Sequence, residues 1–351
     1  MTYIKKPGIV HPSLPKNKLG LTSRDYEGAV STLCAGCGHD SVTAAIVQAV
    51  FELDIEPHML AKMSGIGCSS KTPAYFVQQS HGFNSVHGRM PSVTTGANAA
   101  NRNLKYIGVS GDGDSLSIGA GQFVHAIRRN INMCYILENN GVYGLTKGQF
   151  SASADIGSKP KKGLPNQQEP IDPVSTALSL GATYIARSFS GDKAQLVPLI
   201  KGALVHDGFS LVDIISPCVT FNDHDGSTKS YAHTRQKDHH VVDIDYIAPA
   251  GEITTAYDEG SAMPVELHDG SKIMLHKVDS TYDPTSRAIA FKYLRDRFNA
   301  GEITTGLLYL NDSRKEMHDL MGNIDMPLAD LPMQSLRPAK GELEKILKRY
   351  R

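Results

Sequence analysis

The sequence has no tryptophan, only five cysteines in 351 residues, no net charge and no long apolar run. Nothing in it approaches the about 18 consecutive apolar residues that a transmembrane helix requires, so no membrane span is expected. Lys and Arg number 36, Asp and Glu also 36, and charged residues make up 21% of the chain. That balance excludes the basic surplus of nucleic-acid-binding proteins and of polybasic membrane-surface binders. The stretch Met1-Thr2-Tyr3-Ile4-Lys5-Lys6-Pro7 lacks a hydrophobic core of the signal-peptide kind, and the chain is read as cytoplasmic. Five cysteines in that compartment are not a disulfide framework. No Gly-x-Gly-x-x-Gly follows a strand-like run, so NAD is not indicated. No internal repeat and no low-complexity tract is present.

Glycine is abundant, with 32 residues, which suits a loop-rich protein that brings backbone close to ligands. One glycine-bearing stretch carries the most information. Lys105-Tyr106-Ile107-Gly108-Val109-Ser110 reads as a buried parallel strand and runs into Gly111-Asp112-Gly113-Asp114. A helical segment and a second apolar run follow, and then Asn139-Asn140-Gly141-Val142-Tyr143. A turn at the C-terminal end of a parallel strand is where doubly wound α/β folds place ligands. Asn140 lies 28 residues after Asp112, at the end of the next strand. A carboxylate and an amide oxygen brought together suit Mg²⁺ when the ion also holds a diphosphate. Gly-Asp-Gly alone would be only a turn.

The rest of the chain up to about residue 240 alternates strand and helix, which predicts a mostly parallel sheet. Residues 1–25, with Pro7, Pro12 and Pro15, read as an irregular arm. Residues 42–50 have helical spacing, with Asp40 or Ser41 as N-cap. Residues 59–65 read as a short strand and 96–103 as helical. Asp172 opens a helix with Pro173 in its first turn. Strands are predicted at 184–187 and 210–215, with a helix at 194–207 between them. We expect a main domain at 26–240 and a C-terminal extension at 241–351. The extension holds a hairpin around Asp269-Gly270 and two amphipathic helices, at 284–298 and 342–350. Lys159-Pro160-Lys161-Lys162 is expected to be a solvated loop.

The cysteines are unevenly placed. Cys134 sits among Met133, Tyr135 and Ile136 in an apolar strand, as a core residue would. Cys34-Ala35-Gly36-Cys37 sits in the turn entering a helix, Cys68 in Gly65-Ile66-Gly67-Cys68-Ser69, and Cys218 in Ser216-Pro217-Cys218. A Cys-x-x-Cys can be a zinc half-site, a redox pair or part of an iron–sulfur site. Zinc sites usually supply a second compact pair, and a redox pair would not need Cys68 or Cys218. Four thiolates from three loops suit one [4Fe–4S] cluster, although spacing alone leaves the choice open.

The Gly-Asp-Gly and Asn-Asn pair resembles the thiamin diphosphate motif. More widely, the chain resembles the thiamin-diphosphate-binding β subunits of 2-oxoacid:ferredoxin oxidoreductases. The matching features are Cys-x-x-Cys-Gly-His, Gly-Ile-Gly-Cys-Ser, His-Gly-Arg, Gly-Asp-Gly-Asp, Asn-Asn-x-x-Tyr-Gly-Leu-Thr-Lys-Gly-Gln and Ser-Pro-Cys, in that order across residues 34–218. The resemblance implies a thiamin diphosphate-binding α/β fold with a mostly parallel sheet flanked by helices. It implies Mg²⁺ on Asp112, Asn140 and the Val142 carbonyl, and one [4Fe–4S] cluster on Cys34, Cys37, Cys68 and Cys218. It matches Ile66, Gly67, Cys68, Ser69 and His87 to segments that contact the thiamin, and Gly111, Gly113 and Asp114 to the diphosphate turn. It matches Tyr143, Gly144, Leu145, Thr146 and Lys147 to the loop over the reactive carbon. By themselves His87-Gly88-Arg89 would be a charged surface turn and Lys147 a solvated lysine.

The implied activity is oxidative decarboxylation of a 2-oxo acid, with the acyl group passing to coenzyme A and electrons to ferredoxin, reversible toward CO₂ fixation. Lys147, Thr146 and His87 are the catalytic candidates. The Glu that thiamin enzymes place against the aminopyrimidine cannot be assigned, so a partner α or fused γ–α subunit, in an (αβ)₂ assembly, is expected to complete the site. The region after residue 240 resembles two-subunit enzymes acting on 2-oxoglutarate. Pyruvate or a broad 2-oxo-acid range is the alternative. A non-oxidative thiamin decarboxylase or carboligase with structural zinc, and a non-catalytic metal-binding scaffold, are the readings of other classes.

Overall fold

The computed structural model describes residues 6, 11–158, 163–221, 251–267, 272–339 and 341–350. The turn expected at Asp269-Gly270, the Lys159-to-Lys162 run and the boundary expected at 240 lie outside the described residues. In chain order the strands are β1 (Leu60–Ser64), β2 (His81–Asn84), β3 (Lys105–Gly111), β4 (Met133–Asn139), β5 (Val142–Tyr143), β6 (Gln149–Phe150), β7 (Tyr184–Phe189), β8 (Phe209–Ile215), β9 (Ala262–Glu266), β10 (Lys272–Lys277) and β11 (Glu302–Leu310). The main helices are α1 (Gly38–Glu52), α2 (Met90–Ala100), α3 (Ala120–Arg129), α4 (Pro173–Leu180), α5 (Lys193–Val205) and α6 (Arg287–Asn299).

Nine strands form one sheet in the order β2-β1-β3-β4-β8-β7-β11-β10-β9. The six from β2 to β7 are parallel to one another. Every residue of β4 and β8 is buried. A parallel sheet covered on both faces demands such strands, and this is why they read as unbroken apolar runs rather than alternating ones. One face packs Phe123, Tyr135 and Phe209 with α3 and α4. The rings of Phe123 and Tyr135 meet edge to face at 5.4 Å. The other face packs Ile136, Val212, Ile46 and Ile200 with α1 and α5. Each such side chain contributes about 1.5–3 kcal/mol when fully buried.

The residues after 250 continue the same sheet. β11 pairs antiparallel with β7, β10 parallel with β11, and β9 antiparallel with β10. The helix α6 links β10 to β11. No helix among the described residues is long and apolar enough to cross a membrane.

Local chemistry sets the element ends. Asp172 caps α4, its Oδ2 accepting from Ser175 N at 3.0 Å, and Pro173 occupies the first turn. α1 starts earlier than its apolar pattern, at Gly38 with Cys37 as N-cap. Its first turn buries polar side chains, His39 and Ser41, which periodicity does not register. α2 likewise begins at Met90, with Pro91 in its first turn, and ends at Ala100 rather than 103. Between β3 and α3 the chain makes a wide turn over Gly113–Ile118, closed by Gly119 N donating to Asp114 O at 2.9 Å. Wide i→i+5 turns of this kind concentrate at functional sites.

Candidate functional site

The C-terminal ends of β1, β3, β4 and β8 carry the sequence motifs together. Asp112 follows β3 and is 1% exposed. Its Oδ2 accepts from Gly141 N at 3.0 Å, and the Ser151 and Ser153 hydroxyls also reach it. The carboxylate is thereby fixed beside the Asn140–Gly141 peptide, so the two halves of the motif meet in space. Asn140 Oδ1 accepts from Val142 N at 3.1 Å, a local turn that orients the amide. Asn139 points elsewhere: Ser153 Oγ lies 2.9 Å from its Oδ1, and its Nδ2 donates to Asp213 Oδ1 at 3.2 Å. Asp213 in turn accepts from Arg187 Nε at 2.7 Å, and Arg187 also pairs with Asp172. Ser151 and Ser153 had no sequence signal of their own, because they are joined to Asp112 across 39 and 41 residues.

Asp114 is used up inside the protein. Its Oδ1 accepts from Gly88 N at 2.8 Å and lies 3.3 Å from His87 Nδ1, and its Oδ2 accepts from Ser110 Oγ at 2.7 Å. Its side chain therefore orients the His87 loop, which leaves the backbone of this turn as the part able to face a diphosphate. Gly65 is required at this joint, since a Cβ there would stand 1.9 Å from Asp114 Oδ2. A Cβ on Gly88 would meet Gly119 N at 2.6 Å. Gly113 lies against the Tyr143 ring, and Tyr143 OH donates to Gly113 O at 2.9 Å. Ser69 Oγ would contact any side chain at Gly111, so the loop Ile66-Gly67-Cys68-Ser69 lies across the end of β3.

Cys34, Cys37, Cys68 and Cys218 gather above this edge. A methyl group at Gly144 would sit 3.4 Å from Cys68 Sγ and 3.9 Å from Cys218 Sγ. Thr220 Oγ1 lies 3.8 Å from Cys34 Sγ. Burial pushes the Cys218 thiol up to about 11, with Cys68 and Cys34 adding to the rise, and pushes Cys37 and Cys68 up as well. Cys134 is separate from them, 2% exposed within β4 and raised by burial to about 12. Among the described residues no group of three or more His, Cys, Asp or Glu is arranged to hold a metal ion.

Beneath the cysteines lies a buried polar group in which His39, Ser69 and Ser216 belong to the cysteine motifs and Glu138 had no sequence signal. His39 and Glu138 are both 0% exposed. His39 Nδ1 is 2.6 Å from Ser216 Oγ and 3.5 Å from Glu138 Oε2, and its Nε2 is 3.4 Å from Ser69 Oγ. Burial holds the imidazole down to about 4 and the Glu138 carboxyl well above its usual range.

The strands β5 and β6 form a small hairpin whose loop, Gly144 to Gly148, stands at the rim with Leu145, Thr146 and Lys147 exposed. Thr146 Oγ1 donates to Gln149 Oε1 at 2.6 Å. Lys147 adopts φ 78°, a left-handed conformation that costs a side-chain-bearing residue about 1–2 kcal/mol. Lys147→Gly should therefore stabilise the fold by up to about 1 kcal/mol, once glycine's extra unfolded-state freedom is subtracted, and be read as a higher urea midpoint. An unchanged or lower midpoint would show that the side chain makes compensating contacts.

Comparison with known proteins agrees with this geometry. Residues 65–214 match the family described as thiamine pyrophosphate enzyme, C-terminal TPP binding domain. The β subunit of 2-oxoacid:ferredoxin oxidoreductase from a Sulfolobus species is 44% identical over 54% of this chain and 63% of its own length. The chain thus spans less than two thirds of that relative. The 2-oxoglutarate synthase subunit KorB of Methanocaldococcus jannaschii is 36% identical over 54% of this chain and 69% of its own. A solved chain of 2-oxoglutarate:ferredoxin oxidoreductase from Magnetococcus marinus, with 2-oxoglutarate, coenzyme A and succinyl-CoA bound, superposes with a TM-score of 0.69 at 29% identity. That match covers 94% of this chain and 96% of the other. A mostly parallel sheet, a Gly-Asp-Gly turn facing an Asn-bearing strand end, and these relatives lead to one conclusion: the chain belongs to the family of 2-oxoacid:ferredoxin oxidoreductase β subunits.

Proposed function

We propose that this chain is the thiamin-diphosphate-binding β subunit of a 2-oxoglutarate:ferredoxin oxidoreductase. The reaction is CoA-dependent oxidative decarboxylation of 2-oxoglutarate to succinyl-CoA and CO₂ with reduction of ferredoxin, and it can run in reverse to fix CO₂. The observation that carries this reading is the meeting of Asp112 with the Asn140–Gly141 peptide on the edge where Cys34, Cys37, Cys68 and Cys218 also gather. The lean to 2-oxoglutarate rests on the Magnetococcus marinus enzyme, which aligns over nearly the whole chain, and on the KorB relatives. Pyruvate and a broad substrate range are the alternatives within the class.

Asp112, Asn140 and the Val142 carbonyl would hold Mg²⁺, a set of hard oxygen donors that suits it. The buried carboxylate, already oriented by Gly141 N, fits that role. The four cysteines would hold one [4Fe–4S] cluster. Their donor chemistry fits, since a cubane spreads its thiolates more widely than a single zinc does, and its iron would stabilise as thiolates the groups that burial otherwise keeps protonated. When bound, thiamin diphosphate supplies the electron sink for decarboxylation and the cluster takes electrons one at a time. The chain's own residues bind and orient. The β3–α3 turn presents backbone to the diphosphate, Asp114 fixes His87 toward the thiamin side, and the Gly144-to-Gly148 loop shields the reacting region. A partner α or fused γ–α subunit, in an (αβ)₂ assembly, would supply the aminopyrimidine Glu. We place the complex in the cytoplasm.

The test is anaerobic purification of the native complex and steady-state assay of several 2-oxo acids with coenzyme A and a viologen. The isolated chain should be inactive, and the complex should show higher kcat/KM for 2-oxoglutarate than for pyruvate. A dicarboxylate needs a cation for its distal carboxylate, and Lys147 is the candidate in this chain. Lys147→Met should weaken 2-oxoglutarate more than pyruvate. Equal losses for both acids would move Lys147 to the shared carboxylate or the cofactor. Turnover by the isolated chain would refute the half-site reading.

A further inference from the structure

The three loops that carry the four cysteines are joined below the surface by one side chain. His39 stands two residues after Cys37, Ser69 one after Cys68, and Ser216 two before Cys218. The His39 ring bridges the other two, with Nδ1 at 2.6 Å from Ser216 Oγ and Nε2 at 3.4 Å from Ser69 Oγ. Glu138 lies against the same ring and stands two residues before Asn140 on β4. Neither of its carboxylate oxygens makes a well-formed hydrogen bond among the described residues. Space around the imidazole is tight on the helix side as well. A Cβ on Gly38 would stand 2.5 Å from Ser190 Oγ and 2.6 Å from Ser216 Oγ, so the start of α1 is pressed onto the β8 end.

We propose that His39 is the positioning residue of the cysteine centre: its two ring nitrogens fix the Cys68 and Cys218 loops relative to the Cys34–Cys37 turn. The His39 backbone reaches the Cys37 sulfur, a contact that substitution of the side chain leaves in place, while its ring acts on the other two loops through Ser69 and Ser216. It also places Glu138, and with it the end of β4, in register with those loops. Residues that orient the ligands of a metal centre typically change its retention by about 10–100-fold when removed. The inference rests on the reading of the four cysteines as an iron–sulfur site, and its test separates the two.

The experiment uses the native complex, purified anaerobically as wild type and as His39→Ala, His39→Asn and Ser216→Ala. Iron and acid-labile sulfide, the rate of iron release to a chelator, and the electron paramagnetic resonance spectrum of the reduced cluster are measured. His39→Ala should release iron at least about tenfold faster and give altered g-values. His39→Asn retains a polar atom near the Nδ1 position, can still reach Ser216, and should fall between His39→Ala and wild type. If His39→Ala does not fold, Ser216→Ala carries the test and should speed release and shift the spectrum. Release rate and spectrum unchanged in His39→Ala, or in Ser216→Ala where it stands in, overturn the proposal while leaving the cluster reading intact. Wild-type complex without iron overturns both.

Discussion

Asp112→Asn is expected to abolish Mg²⁺-dependent binding of thiamin diphosphate at working concentrations. The carboxylate is buried, and the ion it would hold is buried with it. Removing one partner of a buried charge pair costs about 3–5 kcal/mol, or roughly two to four orders of magnitude in Kd. Asn preserves the shape of the side chain but sets an amide or a neutral oxygen where Gly141 N, Ser151 Oγ and Ser153 Oγ now meet a negative charge. Asp112→Ala should be at least as severe and should destabilise the turn as well. Calorimetric titration of thiamin diphosphate with and without Mg²⁺ reads the effect. Unchanged affinity in Asp112→Asn would remove the residue from the metal site and return Gly-Asp-Gly to an ordinary turn.

Loss of the proposed iron–sulfur cluster is the second large expected effect. Replacing Cys34, Cys37, Cys68 or Cys218 by Ala should each lower iron and sulfide in the purified complex, and the broad absorption near 400 nm should fall with them. Cys134→Ala should leave them at wild-type levels. The distinction is geometric. Cys68 and Cys218 flank Gly144, Cys34 and Cys37 stand in the turn before α1, and Cys134 is sealed within β4 and pairs in register with Ile107 and Ser210. Cys134→Ala should still cost some stability, because it leaves a small void in a strand whose neighbours are all buried. Equal iron loss from Cys134→Ala would overturn the assignment of the four cysteines. Retention of one tetrahedral zinc in place of iron would favour the non-oxidative reading.

Much of the fold was legible because its central strands are buried on both faces. β3, β4 and β8 appear in the sequence as apolar runs of the right length, and the turns after them carry the glycines and carboxylates of the site. The helices that packed polar or small residues were less visible. α2 contains Pro91, Thr94, Thr95 and Gly96 and shows no apolar stripe at its start, although Met90 is fully buried. α1 hides His39 in its first turn for the same reason. At the site, residues belonging to a contiguous motif could be read, whereas those reaching it from elsewhere could not. Ser153 supports Asp112 from 41 residues away, and Ser216, although part of the Ser-Pro-Cys motif, meets His39 across 177 residues, a pairing only the fold discloses. Asp114 was read as part of the diphosphate turn. Its side chain is also engaged with the His87 loop, a contact that the sequence did not reveal and that needs Gly65 to leave room beside it.

That crowding around Asp114 bears on how such a protein can diverge. A Cβ at position 65 would run into the Asp114 carboxylate, and one at 88 or 119 would meet the backbone of the facing turn, so none of these three glycines can gain a side chain without moving its neighbours. The exposed rim at Leu145, Thr146 and Lys147 has no such interlock, and Lys147 holds a backbone shape that several residue types can adopt at modest cost. Single exchanges would therefore be accommodated more readily at the rim than at the glycine joint behind it.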